Sequence, residues 1–254
     1  MNTLRVLLWA TTVACLTLAS SAVVVAQEEE PASLPARVLF IGNSHTERHG
    51  GLDWLVENMV ATEDPSRPFE GTIRTFSGVT LEYHYRNGAV EAIRDGDYDA
   101  VVLQGHLPGA AVPSTAPFLE YAAKLHEAVA ETRAPTVLFM TWPQARRDWA
   151  TLDDFVAAHR QAEAELGARV APVGVAFANA VAARPDLVLL SEDGVHATWE
   201  GAYLAAATIY AVLFDRSPEG LPYSFGLSED DAAFLQGVAW QTLNDWREGI
   251  PAAD

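Results

Sequence analysis

Arg37-Val38-Leu39-Phe40-Ile41-Gly42-Asn43-Ser44-His45-Thr46 is the stretch that decides the fold. Val38 to Ile41 are consecutive apolar residues, the pattern of a short strand buried on both faces, and Gly42 lets the backbone turn sharply at its carboxyl end. Ligands collect outside the carboxyl ends of strands in open parallel sheets, so Ser44 is delivered to the usual place for chemistry. The plainer reading is that Ser44 caps a following helix, since Ser and Asn are both favoured there.

Outward from this turn, strands and helices alternate. Further strands are expected at Thr72 to Phe76, Ala100 to Gln104, Thr136 to Thr141 and Arg169 to Val173. Leu52, Leu55, Val56 and Met59 recur at helical spacing after the first strand; so do Tyr121, Leu125 and Val129 after the third, and Leu152, Phe155, Val156 and His159 after the fourth. This rhythm gives an α/β fold, a three-layer αβα sandwich around a parallel sheet of about five strands. Pro108 to Pro117, rich in Pro, Ala and Ser, reads as a surface loop after the third strand. Ser228-Glu229-Asp230-Asp231 reads as a capping box opening a packing helix that buries Leu235, Val238, Ala239, Thr242 and Trp246.

With 254 residues, half of them apolar, the chain can bury one full core. Sixteen basic residues against 34 acidic ones leave a net charge of −18, which argues against nucleic acid and anionic membrane surfaces as partners. Residues 1–26 have the design of a signal peptide: Arg5, the apolar run Val6 to Leu18, and Val24-Val25-Ala26 before an acidic flank. A retained anchor and lipidation at Cys15 are the alternatives. Residues 27–36 then form a linker and 37–254 a single domain. Cys15 is the only cysteine, so a chain cleaved after Ala26 has neither disulfide nor thiol chemistry. The expected location is periplasmic or extracellular.

The second informative stretch is Ser191-Glu192-Asp193-Gly194-Val195-His196, ahead of a long helical pattern, Trp199 to Phe214. An Asp and a His three residues apart on a turn can face each other, the carboxylate holding one imidazole nitrogen while the other meets a hydroxyl. Read without Ser44, the same residues are a turn and a histidine near a helix start.

Gly42-Asn43-Ser44 after the first strand, with Asp193-x-x-His196 before the last long helix, resembles the SGNH (GDSL-type) esterase and lipase superfamily, which has a flavodoxin-like sheet. The resemblance runs through nearly the whole chain after residue 36 in order and spacing. It implies a catalytic set of Ser44, Asp193 and His196, with oxyanion donors in the N–H groups of Ser44 and Gly78, the latter from Ser77-Gly78-Val79-Thr80. Asn43 replaces the family's usual aspartate, and the third block, Tyr98 to Gly105, lacks the usual Asn-Asp. Gln104 is preferred as third oxyanion donor because an amide donates at any pH, and His106 is the competing candidate; both could be ordinary loop residues.

The implied reaction is acyl transfer, and because His196 must be neutral, activity should fall as pH drops below about 6 to 7. His45, His106, Trp142 and Trp199 are candidate substrate contacts; His45 has an exposed loop position as its alternative, and the two tryptophans have a core position as theirs. A zinc hydrolase is disfavoured because His45-Thr46-Glu47-Arg48-His49 lacks His-Glu-x-x-His spacing, and no metal or other cofactor is expected. No Gly-x-Ser-x-Gly occurs, which disfavours the α/β-hydrolase fold. The leading expectation is an exported esterase for short acyl groups, with carbohydrate O-acetyl esters as the preferred substrate. The rival from another class is a non-catalytic exported glycan-binding module. Oligomeric state is not legible in the sequence.

Overall fold

The computed structural model describes residues 34–105, 114–144 and 150–252. The signal segment, most of the linker, Cys15, His106 and much of the Pro108 to Pro117 loop lie outside the described residues.

Five strands, β1 (Arg37–Gly42), β2 (Glu70–Thr75), β3 (Ala100–Gln104), β4 (Thr136–Phe139) and β5 (Arg169–Ala171), pair in parallel in the order β2-β1-β3-β4-β5. Alternation of side chains divides the core in two. Val38, Phe40, Val102, Val137 and Phe139 point into one cluster; Leu39, Ile41, Val101, Leu103 and Leu138 point into the other. β1 and β3 are thus apolar on both faces, as a sheet covered on both sides requires.

The first face carries α2 (Leu52–Glu63), α7 (Val173–Ala183) and α8 (Trp199–Phe214); the second carries α3 (Leu81–Arg86), α4 (Ala89–Asp95), α5 (Ala116–Thr132) and α6 (Leu152–Leu166). A four-residue helix, α1 (Ser44–Glu47), opens directly after β1. Residues Gly201 to Phe214 of α8 are all buried, which explains why that helix is apolar all round. It is enclosed because α9 (Glu229–Glu248) packs over both α8 and α7. α9 starts at Ser228, whose hydroxyl accepts from the Asp231 N–H at 3.1 Å. Phe40 is fully buried in the middle of the sheet, so Phe40→Ala should cost about 3–5 kcal/mol.

Several boundaries differ from expectation: β1 is one residue longer at each end, and β2 spans Glu70–Thr75 rather than Thr72 to Phe76. β5 ends at Ala171 because Pro172 caps α7 and Val173 is already helical; the apolar run Val170 to Val175 does not separate a buried strand from a buried helix by its pattern. β4 stops at Phe139, with Met140 continuing only as a hydrogen-bond partner of Ala171 and Gly174. Among the described residues, no helix is long and apolar enough to cross a membrane.

Candidate active site

The turn after β1 is built by close approach. A Cβ on Gly42 would lie 2.3 Å from Thr46 Oγ1 and 2.7 Å from Gln104 Oε1, distances only glycine avoids. Asn43 is the N-cap of α1: its side-chain oxygen accepts from the His45 N–H at 3.1 Å and its amide donates to the Val79 carbonyl at 3.0 Å. Ser44 is therefore the first residue of the helix, half-buried at its start. Its N–H belongs to the first turn, where helical N–H groups have no partner within the helix.

The second component is a loop pinned at its base. Leu190 and Ala197 form an antiparallel bridge, the Ser191 N–H donates to the His196 carbonyl at 2.8 Å, and Gly194 takes a left-handed φ of 66°. Thr198 then caps α8 through the Gly201 N–H. The loop places Asp193 Oδ2 2.6 Å from His196 Nδ1, and His196 Nε2 2.9 Å from Ser44 Oγ. Asp193 Oδ1 also accepts from the N–H groups of Val195 (2.9 Å) and His196 (3.0 Å), and Arg48 Nη1 stands 3.7 Å from Oδ2. These hydrogen bonds, the His196 side chain first, hold the Asp193 carboxyl far below the usual carboxylate range. An ionised Asp193 accepts from Nδ1–H, which leaves Nε2 as the lone pair facing the serine hydroxyl.

Gly78, at φ 70°, lies on the loop following β2, where an added Cβ would meet nothing within 4 Å. The Asn43–Val79 hydrogen bond ties this loop to the turn that carries Ser44. Gln104, at the end of β3, is buried. Its Oε1 accepts from the Asn43 N–H at 2.8 Å and from the Thr46 hydroxyl at 3.1 Å, while Nε2 donates to the Gly105 carbonyl at 3.1 Å. The Asn43 N–H can only donate, so the amide orientation is fixed, and one Nε2 hydrogen remains beyond the Gly105 bond.

His45 differs from the exposed loop position considered as its alternative. It is buried, with Nδ1 3.0 Å from Asn43 Oδ1 and its ring 5.2 Å from Trp142 and 5.7 Å from His196. Trp142 is also buried: it stacks on Phe177 at 4.2 Å, and its indole N–H donates to the Val195 carbonyl at 3.0 Å. It thus supports the Asp193–His196 loop from behind. Trp199, in contrast, is 53% exposed. His49, four residues past His45, turns elsewhere, toward the Ala197 carbonyl (2.9 Å) and the Trp199 ring (4.4 Å).

Sequence reasoning passed over His84. It is buried on α3, and its Nε2–H donates to the Gly42 carbonyl at 2.7 Å, tying α3 to the turn; burial lowers its pKa. The available signal was the spacing of Leu81 and His84, which together form the buried face of α3.

No protein-family model matches the chain, and no curated protein matches it in sequence. Solved structures do match. A provisionally assigned SGNH hydrolase from Slackia heliotrinireducens aligns with TM-score 0.59 and 27% identity over 70% of this chain and 98% of its own. A DUF4886 family protein from Bacteroides uniformis gives TM-score 0.62 and 20% identity over 85% and 96%. A mutant of an acetyl-xylooligosaccharide esterase from Geobacillus Stearmophilus gives TM-score 0.56 and 19% identity over 76% and 97%. Its five-stranded parallel sheet and these neighbours give the chain the α/β fold of the SGNH (GDSL-type) hydrolases.

Proposed function

We propose that the protein is an exported serine esterase that hydrolyses short-chain carboxylic esters, with carbohydrate O-acetyl groups as its natural substrates. The observation that carries this reading is the continuous relay from Ser44 Oγ through His196 to Asp193, with links of 2.9 and 2.6 Å. A hydroxyl, a base and a carboxylate in that order constitute an activated nucleophile.

In the proposed reaction, His196 Nε2 takes the Ser44 proton as Oγ bonds to the ester carbonyl carbon. Asp193 keeps the ring in the required tautomer and stabilises the imidazolium. The N–H groups of Ser44 and Gly78 are assigned to the developing oxyanion, with the remaining Nε2 hydrogen of Gln104 as third donor. The tetrahedral intermediate collapses as His196 returns the proton to the departing alcohol. Water, deprotonated by the same imidazole, then attacks the acyl-serine; the second collapse returns that proton to Ser44 Oγ and releases the acid.

Labelling with a fluorophosphonate tests the nucleophile. Purified protein should label at Ser44, the Ser44→Ala variant should not, and short aryl esters should be turned over only by the former. Absence of labelling together with absence of turnover would remove the esterase reading and favour the binding module.

A further inference from the structure

We infer that an aromatic cleft beside the catalytic residues is a saccharide subsite that seats a sugar ring of the substrate's alcohol portion. The cleft, ≈510 Å³, is lined by His49, Gly50, Trp54, Trp199 and Phe225. Its position on the leaving-group side rests on the reading of Ser44 as nucleophile; its chemistry does not.

The cleft grows out of the two segments that carry the site. His49 and Gly50 follow the Ser44 helix, and Trp199 follows His196; His49 Nε2 bonds the carbonyl of Ala197 at 2.9 Å, joining the two. Trp54 comes from the first turn of α2 and Phe225 from the segment between α8 and α9. Trp54 and Trp199 remain 44% and 53% exposed, although neighbouring rings fix them. Trp199 lies 4.4 Å from His49 and 4.8 Å from Phe225, and Trp54 lies 6.0 Å from Phe225. Two bulky indoles facing solvent on a rigid frame form a binding surface rather than unfinished core.

Backbone strain falls on the same spot. His49 (φ 59°) and Phe225 (φ 57°) both adopt left-handed backbone, a conformation costly for a bulky side chain. Of the other non-glycine residues that share it among the described residues, Arg133 and Asp215 are helix C-caps and Asp97 follows the C-cap of α4 on the turn into β3. His49 and Phe225 cap nothing of that kind; instead each holds an aromatic ring at the cleft wall. Strain of this sort persists where the surrounding structure demands the geometry.

The lining selects the ligand class. A pyranose has an apolar C–H face whose partial positive charge suits the negative face of an indole, and hydroxyl edges that remain in water; an open, shallow aromatic wall satisfies both. An acyl chain gains more from aliphatic walls, and the protein has a separate, equally open site with them, ≈530 Å³, beside Trp142, lined by Val181, Leu187, Val188, Leu189 and others. A quaternary ammonium would call for a closed cage, whereas this cleft is open and no carboxylate is among the described residues that line it.

Isothermal titration of the Ser44→Ala protein with xylotetraose, cellotetraose, tetramethylammonium and hexanoate tests the assignment, because that protein binds without turnover. At least one saccharide should bind, and Trp199→Ala and Trp54→Ala, each in the same background, should weaken it by about fivefold. The two tryptophans lie on different elements, so if circular dichroism shows one variant misfolded the other carries the test. No heat with either saccharide, equal affinity in a folded tryptophan variant, or tighter binding of tetramethylammonium or hexanoate at the cleft would overturn the inference. Fluorophosphonate labelling of the wild type, scored separately, reports on the esterase reading and is independent of this titration.

Discussion

Gln104→Ala separates two jobs that one buried amide can hold. Its oxygen is shared by the Asn43 N–H and the Thr46 hydroxyl, both inside the turn that carries Ser44. Removing it strands two buried donors, each costing about 1–3 kcal/mol, so a loss of roughly 2–6 kcal/mol follows. In a domain of this size that lowers Tm by on the order of 10 °C. If the remaining Nε2 hydrogen also serves the oxyanion, turnover of an aryl acetate falls by about 10²–10³ as well. Gln104→Glu distinguishes the jobs, since a carboxyl oxygen can accept from both turn donors but brings no amide hydrogen. Thermal unfolding and kcat on the aryl ester are measured for both variants. Low turnover in both, with Tm partly recovered in Gln104→Glu, supports oxyanion donation; recovered turnover in Gln104→Glu leaves Gln104 only the task of holding the turn. A Gln104→Ala protein with unchanged Tm and full turnover would refute both.

Asp193→Asn should reduce kcat by about 10³–10⁴, because an amide N–H₂ turned to Nδ1 stabilises the wrong imidazole tautomer, while Tm changes little; a loss below about tenfold would remove Asp193 from the relay. Since its hydrogen bonds keep Asp193 ionised throughout the working range, the acid limb of kcat/KM should have a one-proton slope, and a two-proton slope would contradict that. Gly42→Ala should abolish fluorophosphonate labelling, the new methyl colliding with Thr46 and Gln104; wild-type labelling would show that the turn tolerates it. His159, fully buried, donates Nδ1–H to the Phe155 carbonyl, and burial lowers its pKa from 6.5 to about 4. Between those values the unfolded chain binds a proton the folded chain refuses, so stability falls as pH drops from 6.5, by up to about 3 kcal/mol near pH 4. His159→Leu should therefore lose less Tm between pH 7 and pH 5 than the wild type; equal losses would show that acid sensitivity arises elsewhere.

What could be read in the sequence was whatever is encoded locally. β1 is a contiguous apolar run closed by Gly42, and Asp193 and His196 meet across a single turn, so three-residue spacing was enough to pair them. α3 and α4 went unnoticed because at six and seven residues they carry too few turns for a period to show. The oxygen of Gln104 could not be assigned, since its role depends on where the end of β3 falls beside the turn after β1. The aromatic cleft has the same cause: Trp54, Trp199 and Phe225 lie on three elements distant in sequence, and an exposed tryptophan has no signature of its own.

The strand order explains why the site stands where it does. β1 lies between β2 and β3, so the chain leaves it in one direction for β2 and passes to its other side for β3. At such a reversal the segments after neighbouring strands diverge and open a crevice at the strand ends. Each neighbour then contributes one brace to the same turn: the loop beyond β2 through the Val79 carbonyl, and the end of β3 through Gln104 Oε1. His84 adds a third from below, on the Gly42 carbonyl. Three residues outside the Ser44 helix therefore hold the turn that positions Ser44. The Asp193–His196 loop, braced by Trp142, needs only to meet a hydroxyl already fixed in place. Loosening any one brace should then be felt in the Ser44 to His196 distance before it is felt in the sheet, because the strands keep their own hydrogen bonds while the turn depends on these.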